Sequence, residues 1–214
     1  MPTRRTPAPA VALLVRHGRT PTTGTILPGR APGLHLSDAG RAQAEDTAAR
    51  IAALKKAPVA VYASPLERAM ETAKPIAAEL GLRVRAERGL LECDFGTWTG
   101  ARLSTLRRRR EWRSVQAVPS SFRFPDGESF LEMQARTMAA LDRLAARHHG
   151  ETFVAVSHAD PIKAAVAATA GVPIDLMQRL VVSPCSVTAL VRGDADAYVL
   201  CVNATSSLAD LSPS

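Results

Sequence analysis

Val11-Ala-Leu-Leu-Val15, which runs directly into Arg16-His17-Gly18, is the stretch of sequence that decides the fold. Two other apolar runs end in polar residues in the same way: residues 59–63 before Ser64-Pro65-Leu66-Glu67-Arg68, and residues 152–156 before Ser157-His158. In open α/β sheets, ligands bind in the crevice outside the carboxyl ends of the strands. The sequence therefore predicts that these three sets of polar residues converge on one cleft.

The apolar runs alternate with long helical patterns along most of the chain, and this alternation is typical of an α/β layer structure. We expect a three-layer sandwich with a mostly parallel open sheet, one antiparallel edge strand, helices on both faces and a small cap excursion. The last two strands are joined by only Gly193-Asp194-Ala195-Asp196, which is too short for a helical crossover and predicts a hairpin. Strands are predicted near residues 11–15, 59–63, 82–86, 152–157, 187–192 and 198–202.

The helical patterns lie between most of the predicted strands. Ser37 is the expected N-cap of the first helix, which should run to Lys55 because apolar residues recur at near-helical spacing. Further helices are predicted over residues 66–80 and 127–147, with a shorter one after Pro161.

The domain organisation is predicted from the segments of the chain that show no regular hydrophobic periodicity. Residues 95–126 contain two tryptophans and four consecutive arginines, and we expect them to form the cap excursion. Residues 1–10 carry two arginines and three prolines and are expected to be a disordered lead-in rather than a signal peptide, because no long apolar stretch follows them. Residues 11–214 are then expected to form a single domain.

The composition is that of a globular protein and excludes several other classes. Of the 214 residues, 46% are hydrophobic and 22% are charged, which excludes disordered, collagenous and coiled-coil chains. No apolar run approaches the roughly 20 residues that span a bilayer, so no membrane association is expected. The three cysteines are too scattered for a disulfide framework or a zinc site. We therefore expect a reducing, cytoplasmic location and neither a metal nor a cofactor.

The net charge of +7 and the isoelectric point near 10.0 favour an anionic partner, since positive clefts raise the local concentration of anions. A nucleic acid and a small phosphoester both satisfy this condition. Several of the arginines lie on predicted helices that also carry Glu or Asp, and much of the charge is interpreted as solvated surface. We expect a small phosphorylated substrate and no nucleic acid.

The segment Arg16-His17-Gly18-Arg19-Thr20 resembles the R-H-G-[ETRS]-[TS] signature of the histidine phosphatase superfamily, also called the phosphoglycerate mutase-like family. The resemblance extends across nearly the whole chain. The sequence departs from the family pattern in having Ala159 in place of a common Gly, and Thr99 in place of the Glu of a W-E-G segment. Five further segments resemble family motifs in the expected order: residues 36–44, 64–73, 91–100, 124–129 and 156–158.

The resemblance implies a mechanism in which His17 attacks phosphorus and forms a phosphohistidine. Arg16, Arg68 and His158 are the implied ligands of the phosphoryl oxygens. The residue chemistry agrees with these roles, because nearby cationic arginines disfavour the imidazolium and keep the His17 nucleophile neutral. Arginine also grips phosphate oxygens in a bidentate manner.

The resemblance also implies a general acid, a carboxyl group that protonates the leaving oxygen. The family motif selects Glu92, and Asp94, two residues further on, is the alternative that the residues leave open. A carboxyl beside a phosphate dianion has its pKa raised by the like charge, so it can stay protonated and donate near neutral pH.

Three further residues are candidates for substrate binding. Arg30 stands where the family often has an arginine near the phosphate, and Thr23 or Thr20 could contribute a hydroxyl. Residues 107–110, the run of four arginines, are interpreted as a solvated face in preference to substrate ligands, and whether they contact the substrate is left open.

The leading functional hypothesis is a metal-independent phosphomonoesterase that acts on small phosphorylated metabolites. The alternative enzyme is a phosphomutase with the same phosphohistidine; the short cap excursion favours the phosphatase. The third hypothesis is a protein that binds a phosphorylated ligand or nucleic acid without turnover. The physiological substrate and the oligomeric state, including a homodimer, are left open.

Overall fold

The computed structural model describes residues 7–193 and 197–205, and its centre is a six-stranded sheet in the order β3-β2-β4-β1-β5-β6. Strands β1 to β4 are mutually parallel where they pair, β5 runs antiparallel to β1, and β6 runs antiparallel to β5. The predicted fold, a mostly parallel sheet with one antiparallel edge, is confirmed. Residues 194–196 of the predicted hairpin lie outside the described residues. The strands are β1 (Ala10–Arg16), β2 (Ala60–Ala63), β3 (Val84–Ala86), β4 (Thr152–Ser157), β5 (Val187–Arg192) and β6 (Ala197–Ala204).

The central strands are covered on both faces, which explains why they read as uninterrupted apolar runs. All six residues of β4 are buried, and so are most residues of β1. Strand β1 begins at Ala10, which is fully buried, so the predicted boundary between lead-in and domain was one residue too late. The carbonyl of Ala8 already accepts a hydrogen bond from the Gly150 amide at 2.8 Å. Residues 1–6 of the predicted lead-in lie outside the described residues.

The α-helices of the described residues agree with the predicted ones, apart from their ends and two short additions. The Ser37 hydroxyl caps α1, as predicted, and accepts from the Gly40 amide at 3.1 Å. No helix in the described part of the chain is long and apolar enough to cross a bilayer. The helices are α1 (Asp38–Ala52), α2 (Glu67–Glu79), α3 (Leu103–Leu106), α4 (Arg110–Ala117), α5 (Phe130–Arg147) and α6 (Ala159–Thr169).

Two helix starts differ from the prediction for local reasons. Helix α5 begins at Phe130 rather than at Gly127, because Ser129 and Glu132 form a reciprocal capping box that sets its first turn. Helix α6 begins at Ala159, before Pro161, because a proline in the first helical turn leaves no necessary amide hydrogen bond unmade.

The helices cover both faces of the sheet and complete the predicted three-layer sandwich. On one face, side chains of α5 and α6 such as Leu141 and Ile162 pack against β1 residues such as Leu14. On the other face, Ile51 of α1 and Ile76 of α2 pack against the strands. Alternate residues of each strand therefore point into two separate cores.

The predicted cap excursion is a set of short helices held by an aromatic cluster. Trp98, which is only 3% exposed, lies with its ring centroid 5.4 Å from that of Phe124 and 6.3 Å from that of Trp112. The cluster also includes Ala164 and Ala167 of α6. The cap, formed by α3, α4 and the turns around them, is therefore anchored to the layer of α5 and α6.

Candidate active site

The carboxyl ends of β1, β4 and β2 lie side by side, and this arrangement brings the predicted site residues together. In the β1–β4 pairing, Arg16 is opposite Ser157, so His17 and His158 follow at the same level. Their ring centroids are 5.1 Å apart. The Ser64 hydroxyl, at the end of β2, lies 2.8 Å from Nε2 of His158. The rule that ligand-binding residues follow the carboxyl ends of the strands, here called the strand-end rule, therefore placed these residues correctly in one cleft.

His17 is held as a neutral imidazole whose Nε2 carries no proton. Its Nδ1 lies 2.8 Å from the Gly18 carbonyl oxygen, which can only accept, so Nδ1 carries the proton and Nε2 carries a lone pair. Nε of Arg68 donates to this Nε2 at 3.2 Å. Burial lowers the pKa of His17 well below its usual value, and the Arg68 and Arg16 cations lower it further. The result is an imidazole that stays unprotonated.

The backbone at Gly18 fixes the position of His17 through close packing and a hydrogen bond. A Cβ atom at Gly18 would lie 2.5 Å from the carbonyl oxygen of Gly40, so only glycine fits between the β1 end and α1. The Gly18 amide donates to Oγ1 of Thr72 at 3.0 Å, and that hydroxyl donates to the Arg68 carbonyl at 2.7 Å. His17 and Arg68 are thereby connected through the main chain as well as through their side chains.

Three buried nitrogen atoms around His17 have no hydrogen-bond partner in the described part of the chain: Nε of Arg16, Nη1 of Arg68 and Nδ1 of His158. The other atoms of these side chains are fixed: Arg16 Nη1 donates to the Val182 carbonyl at 2.7 Å, and Arg68 Nη2 donates to the Gly29 carbonyl at 2.8 Å. If the Ser64 hydroxyl donates to Nε2 of His158, the proton of that ring lies on Nδ1. The three atoms then form a set of unused donors suited to an anion.

Glu92 is the carboxyl group with the strongest perturbation in the site. It is 7% exposed, and its Oε1 accepts from the Cys93 amide at 2.9 Å. Burial and the nearby Asp160 charge raise its pKa to about 7, against the opposing effect of the Arg68 and Arg16 cations. A carboxyl group with this pKa is poised to donate a proton near neutral pH.

Asp94, the alternative acid, occupies a different environment. Its Oδ1 accepts from the Gly96 amide at 3.0 Å, and its Oδ2 pairs with Arg30 at 3.3 Å. Asp94 does not line the cavity in front of His17, whereas Glu92 does. The geometry therefore favours Glu92 over Asp94 as the proton donor.

The structure does not bring Arg30 to the phosphate site. Its Nε donates to the Glu92 carbonyl at 2.8 Å, and its Nη2 lies 2.8 Å from a carboxylate oxygen of Glu128. Arg136 donates to the same Glu92 carbonyl at 2.9 Å and also pairs with Glu128. Because Asp94 and Glu128 attract the Arg30 guanidinium, it holds the main chain of Glu92 instead of entering the cavity.

The cavity in front of His17 has a volume of about 410 Å³. Its catalytic floor, as we name it, comprises Arg16, His17 and Glu92, with Arg68 and His158 buried directly behind. Thr23 lines the cavity, and its Oγ1 accepts from the Thr20 amide at 2.9 Å. The cap wall, as we name the side that the cap contributes, is formed by Leu103, Arg107, Trp112, Val115, Gln116 and Phe124.

Several residues that line this cavity are not among the predicted site residues. Asp160 lies two residues after His158 at the start of α6, and the strand-end rule could have found it. Lys163 lies one helical turn further, at a spacing that keeps it on the same face. Arg107 lines the cavity although the arginine run was interpreted as a solvated face, and nothing in the local sequence distinguishes it from its neighbours.

Among the described residues, no group of three or more His, Cys, Asp or Glu side chains could hold a metal ion.

Comparisons with known proteins agree with the geometry. A protein of Mycobacterium tuberculosis, itself uncharacterized, is 39% identical over 152 residues, which cover 70% of this chain and 73% of that protein. Phosphoserine phosphatase 1 of Hydrogenobacter thermophilus is 30% identical over 167 residues, covering 76% of this chain and 77% of the relative.

A solved structure gives the same result for the fold. Mycobacterial glucosyl-3-phosphoglycerate phosphatase superposes with a TM-score of 0.81 at 25% identity, covering 91% of this chain and 99% of that chain. The family model of the histidine phosphatase superfamily, branch 1, matches residues 12–205. The resemblance predicted from the motifs is thus confirmed, and the chain belongs to the histidine phosphatase superfamily.

Proposed function

We propose that the protein is a metal-independent phosphomonoesterase that acts on small phosphorylated metabolites through a phosphohistidine at His17. The observation that carries this proposal is the set of unused buried donors around the unprotonated Nε2 of His17. The names of two relatives, a phosphoserine phosphatase and a glucosyl-3-phosphoglycerate phosphatase, support a phosphomonoester as substrate.

In the first step, the lone pair on Nε2 of His17 attacks the phosphorus atom of the bound ester. The bond between phosphorus and the ester oxygen breaks, and Glu92 transfers its proton to the leaving oxygen. The electron pair of the broken bond leaves with the alcohol. Arg16, Arg68 and His158 stabilise the charge that spreads over the other phosphoryl oxygens in the transition state.

In the second step, water replaces the alcohol in the cavity. Glu92, now a carboxylate, takes a proton from the water as its oxygen attacks phosphorus. The bond between phosphorus and Nε2 breaks, inorganic phosphate leaves, and both His17 and Glu92 return to their starting states. The sequence of steps uses Glu92 first as acid and then as base, which a pKa near 7 allows.

The phosphomutase alternative shares the first step and differs in the acceptor of the phosphoryl group. A mutase transfers it to a second alcohol, whereas a phosphatase transfers it to water. The cap consists of two short helices, α3 and α4, and we take this small cover as favouring access of water. A protein that only binds a phosphorylated ligand has no use for a buried, protonated Glu92.

The decisive experiment incubates the protein with a panel of phosphorylated metabolites and measures free phosphate, with and without a phosphoglycerate acceptor. Phosphate release without acceptor supports the phosphatase, and isomer exchange without release supports the mutase. In parallel, the protein is incubated with ³²P-labelled substrate and quenched rapidly with base. The wild-type protein should retain a label that acid removes, and His17→Ala should retain none. Label on a serine or an aspartate would overturn the proposed chemistry.

A further inference from the structure

A second pocket adjoins the catalytic cavity on the side of the cap. Its volume is about 420 Å³, and it lies between residues 24–26 and the start of α3. Thr25, Arg102, Ser104 and Arg107 contribute its polar side chains. Gly24, Ile26, Leu103 and Arg107 line both spaces. Arg107 is therefore the charged residue at the border between the two spaces.

The walls of this second pocket are held by main-chain hydrogen bonds. The Leu103 amide donates to the Thr25 carbonyl at 2.9 Å, and the Leu27 amide donates to the Ala101 carbonyl at 2.9 Å. Ile26 and Arg102 form an isolated antiparallel bridge between the same segments. These hydrogen bonds fix the distance between the two sides of the pocket in the absence of a ligand. Binding therefore requires less ordering of the protein, which lowers its entropic cost.

The charge in the second pocket is not neutralised by the protein. Within the described residues, neither Arg102 nor Arg107 forms an ion pair, and no acidic side chain lines the second pocket. Other exposed arginines, such as Arg41 and Arg123, do pair with carboxylates. An unpaired guanidinium at the rim of a cavity is a strong ligand for carboxylate and phosphate oxygens.

We propose that the second pocket binds a second anionic group, a carboxylate or a phosphate, at the far end of an elongated leaving group, and that Arg107 determines this specificity. The inference rests on the proposed function, since it places the transferred phosphoryl group at His17. Each of the two spaces has a volume in the range that encloses a drug-sized ligand. Together they can hold a phosphate ester whose leaving group is longer than a short alcohol.

The test uses matched substrates that differ only in their far end. Alkyl phosphates of increasing chain length are compared with the corresponding ω-carboxyalkyl phosphates and alkanediol bisphosphates, and kcat/KM is measured for each. In the wild-type protein, one range of chain lengths should show a preference of about tenfold or more for the anionic member, as a charge-assisted hydrogen bond predicts. The carboxylate and bisphosphate series show which anion the pocket prefers.

Variants then assign the preference to a residue. Arg107→Ala should reduce the preference about tenfold, and Arg107→Lys should retain part of it, because the charge remains without the planar fork. Arg108→Ala is the matched control: it removes the same charge from the next residue of the run, which lines neither space, and it should keep the preference.

Two results would overturn the proposal: an equal loss for the anionic and neutral substrates in Arg107→Ala, or an equal effect of Arg108→Ala. The absence of any chain-length range that favours the anionic member would overturn it as well. Failure of the proposed function is recognised separately, because the wild-type protein would then release no phosphate even from the neutral alkyl phosphates.

Discussion

The catalytic floor and the cap wall face each other across one cavity, yet they are built in opposite ways. His17 of the floor is 5% exposed, and Arg68 and His158 directly behind it are 0% exposed. All three side chains are fixed by hydrogen bonds, His17 to Gly18, Arg68 to Gly29 and His158 to Ser64. On the cap wall, Arg107 and Gln116 are exposed, and Trp112 is half-buried. In the proposed reaction, the floor therefore offers one rigid geometry for the phosphoryl group, while the cap wall offers contacts that depend on the leaving group.

This difference separates chemistry from specificity. Substitutions in the floor should change the rate of phosphoryl transfer for every substrate, because all substrates share the same group there. Substitutions in the cap wall should change the ranking of substrates. The following experiments test that separation.

The largest effect is expected for His17→Ala, which removes the nucleophile from the floor. Phosphate release should fall by about 10⁴-fold or more, as is typical when the nucleophile of a covalent mechanism is removed. The measurement is the steady-state rate with an aryl phosphate, together with the urea unfolding midpoint to show that the variant is folded. A folded variant with the activity of the wild type would contradict the role of His17.

A smaller but more selective effect is expected for Glu92→Gln. With an alkyl phosphate, whose leaving group needs a proton, the rate should fall by about 100-fold or more. With an aryl phosphate, the phosphorylation step should fall much less. That step must be followed as a single-turnover burst, because in the proposed mechanism Glu92 also assists hydrolysis of the phosphohistidine.

The matched control for Glu92 is Asp160→Asn, since Asp160 is the other carboxylate that lines the cavity. Asp160→Asn should not show the larger loss of burst rate for alkyl phosphates than for aryl phosphates that is expected of Glu92→Gln. If Glu92→Gln lowers both burst rates equally and Asp160→Asn reproduces the difference, the proton donor is Asp160.

The pH dependence follows from the pKa of Glu92. Because burial raises that pKa to about 7, the protonated acid is present below this pH and is lost above it. For an alkyl phosphate, kcat/KM should therefore fall above pH 7, approaching a tenfold loss per pH unit. His17 should produce no acid limb near its ordinary pKa, because its pKa is lowered well below that value.

Glu92→Gln provides the control for this profile, since the amide does not titrate. The decline above pH 7 should disappear in that variant, although the overall rate is lower. If the decline stays at the same pH in Glu92→Gln, another group is responsible for it.

The smallest effect is expected for Trp112→Ala in the cap wall. Loss of the half-buried indole should raise KM about fivefold for substrates with bulky leaving groups, because apolar contact with the leaving group is lost. The change should lie mainly in KM, as expected for contacts that are equal in the ground state and the transition state. Val115→Ala, on the same helix, provides a comparison with a smaller loss of surface. A large fall in kcat for all substrates would show that the cap wall also takes part in the chemistry.

The fold was predictable because its main features are encoded in contiguous residues. Strands β1 and β4 are buried on both faces, so their apolar runs are unbroken and easily recognised. The start of α5 was predicted three residues too early, because the Ser129–Glu132 capping box rather than apolar periodicity determines it. The ends of helices are set by a few side-chain hydrogen bonds, which a periodic pattern does not reveal.

The site was predictable to the extent that it lies at strand ends. His17, Ser64 and His158 each follow a recognisable strand, and parallel pairing brings them together. Arg30 was misplaced, because its proximity in sequence to Pro28-Gly29 does not reveal that Asp94 and Glu128 bind its guanidinium. Arg107 was missed because its neighbours in the run have the same side chain and only the folded cap distinguishes them.

By itself, the sequence determined the α/β layers, the positions of the reactive groups at the strand ends and the family, since each depends on short runs of neighbouring residues. Only the tertiary structure decided the protonation and the contacts of those groups. Arg68 meets His17 across 51 residues, His158 meets Ser64 across 94, and Arg16 meets the Val182 carbonyl across 166. Burial and charge at such contacts set the pKa values of His17 and Glu92, and both arise only when distant segments come together.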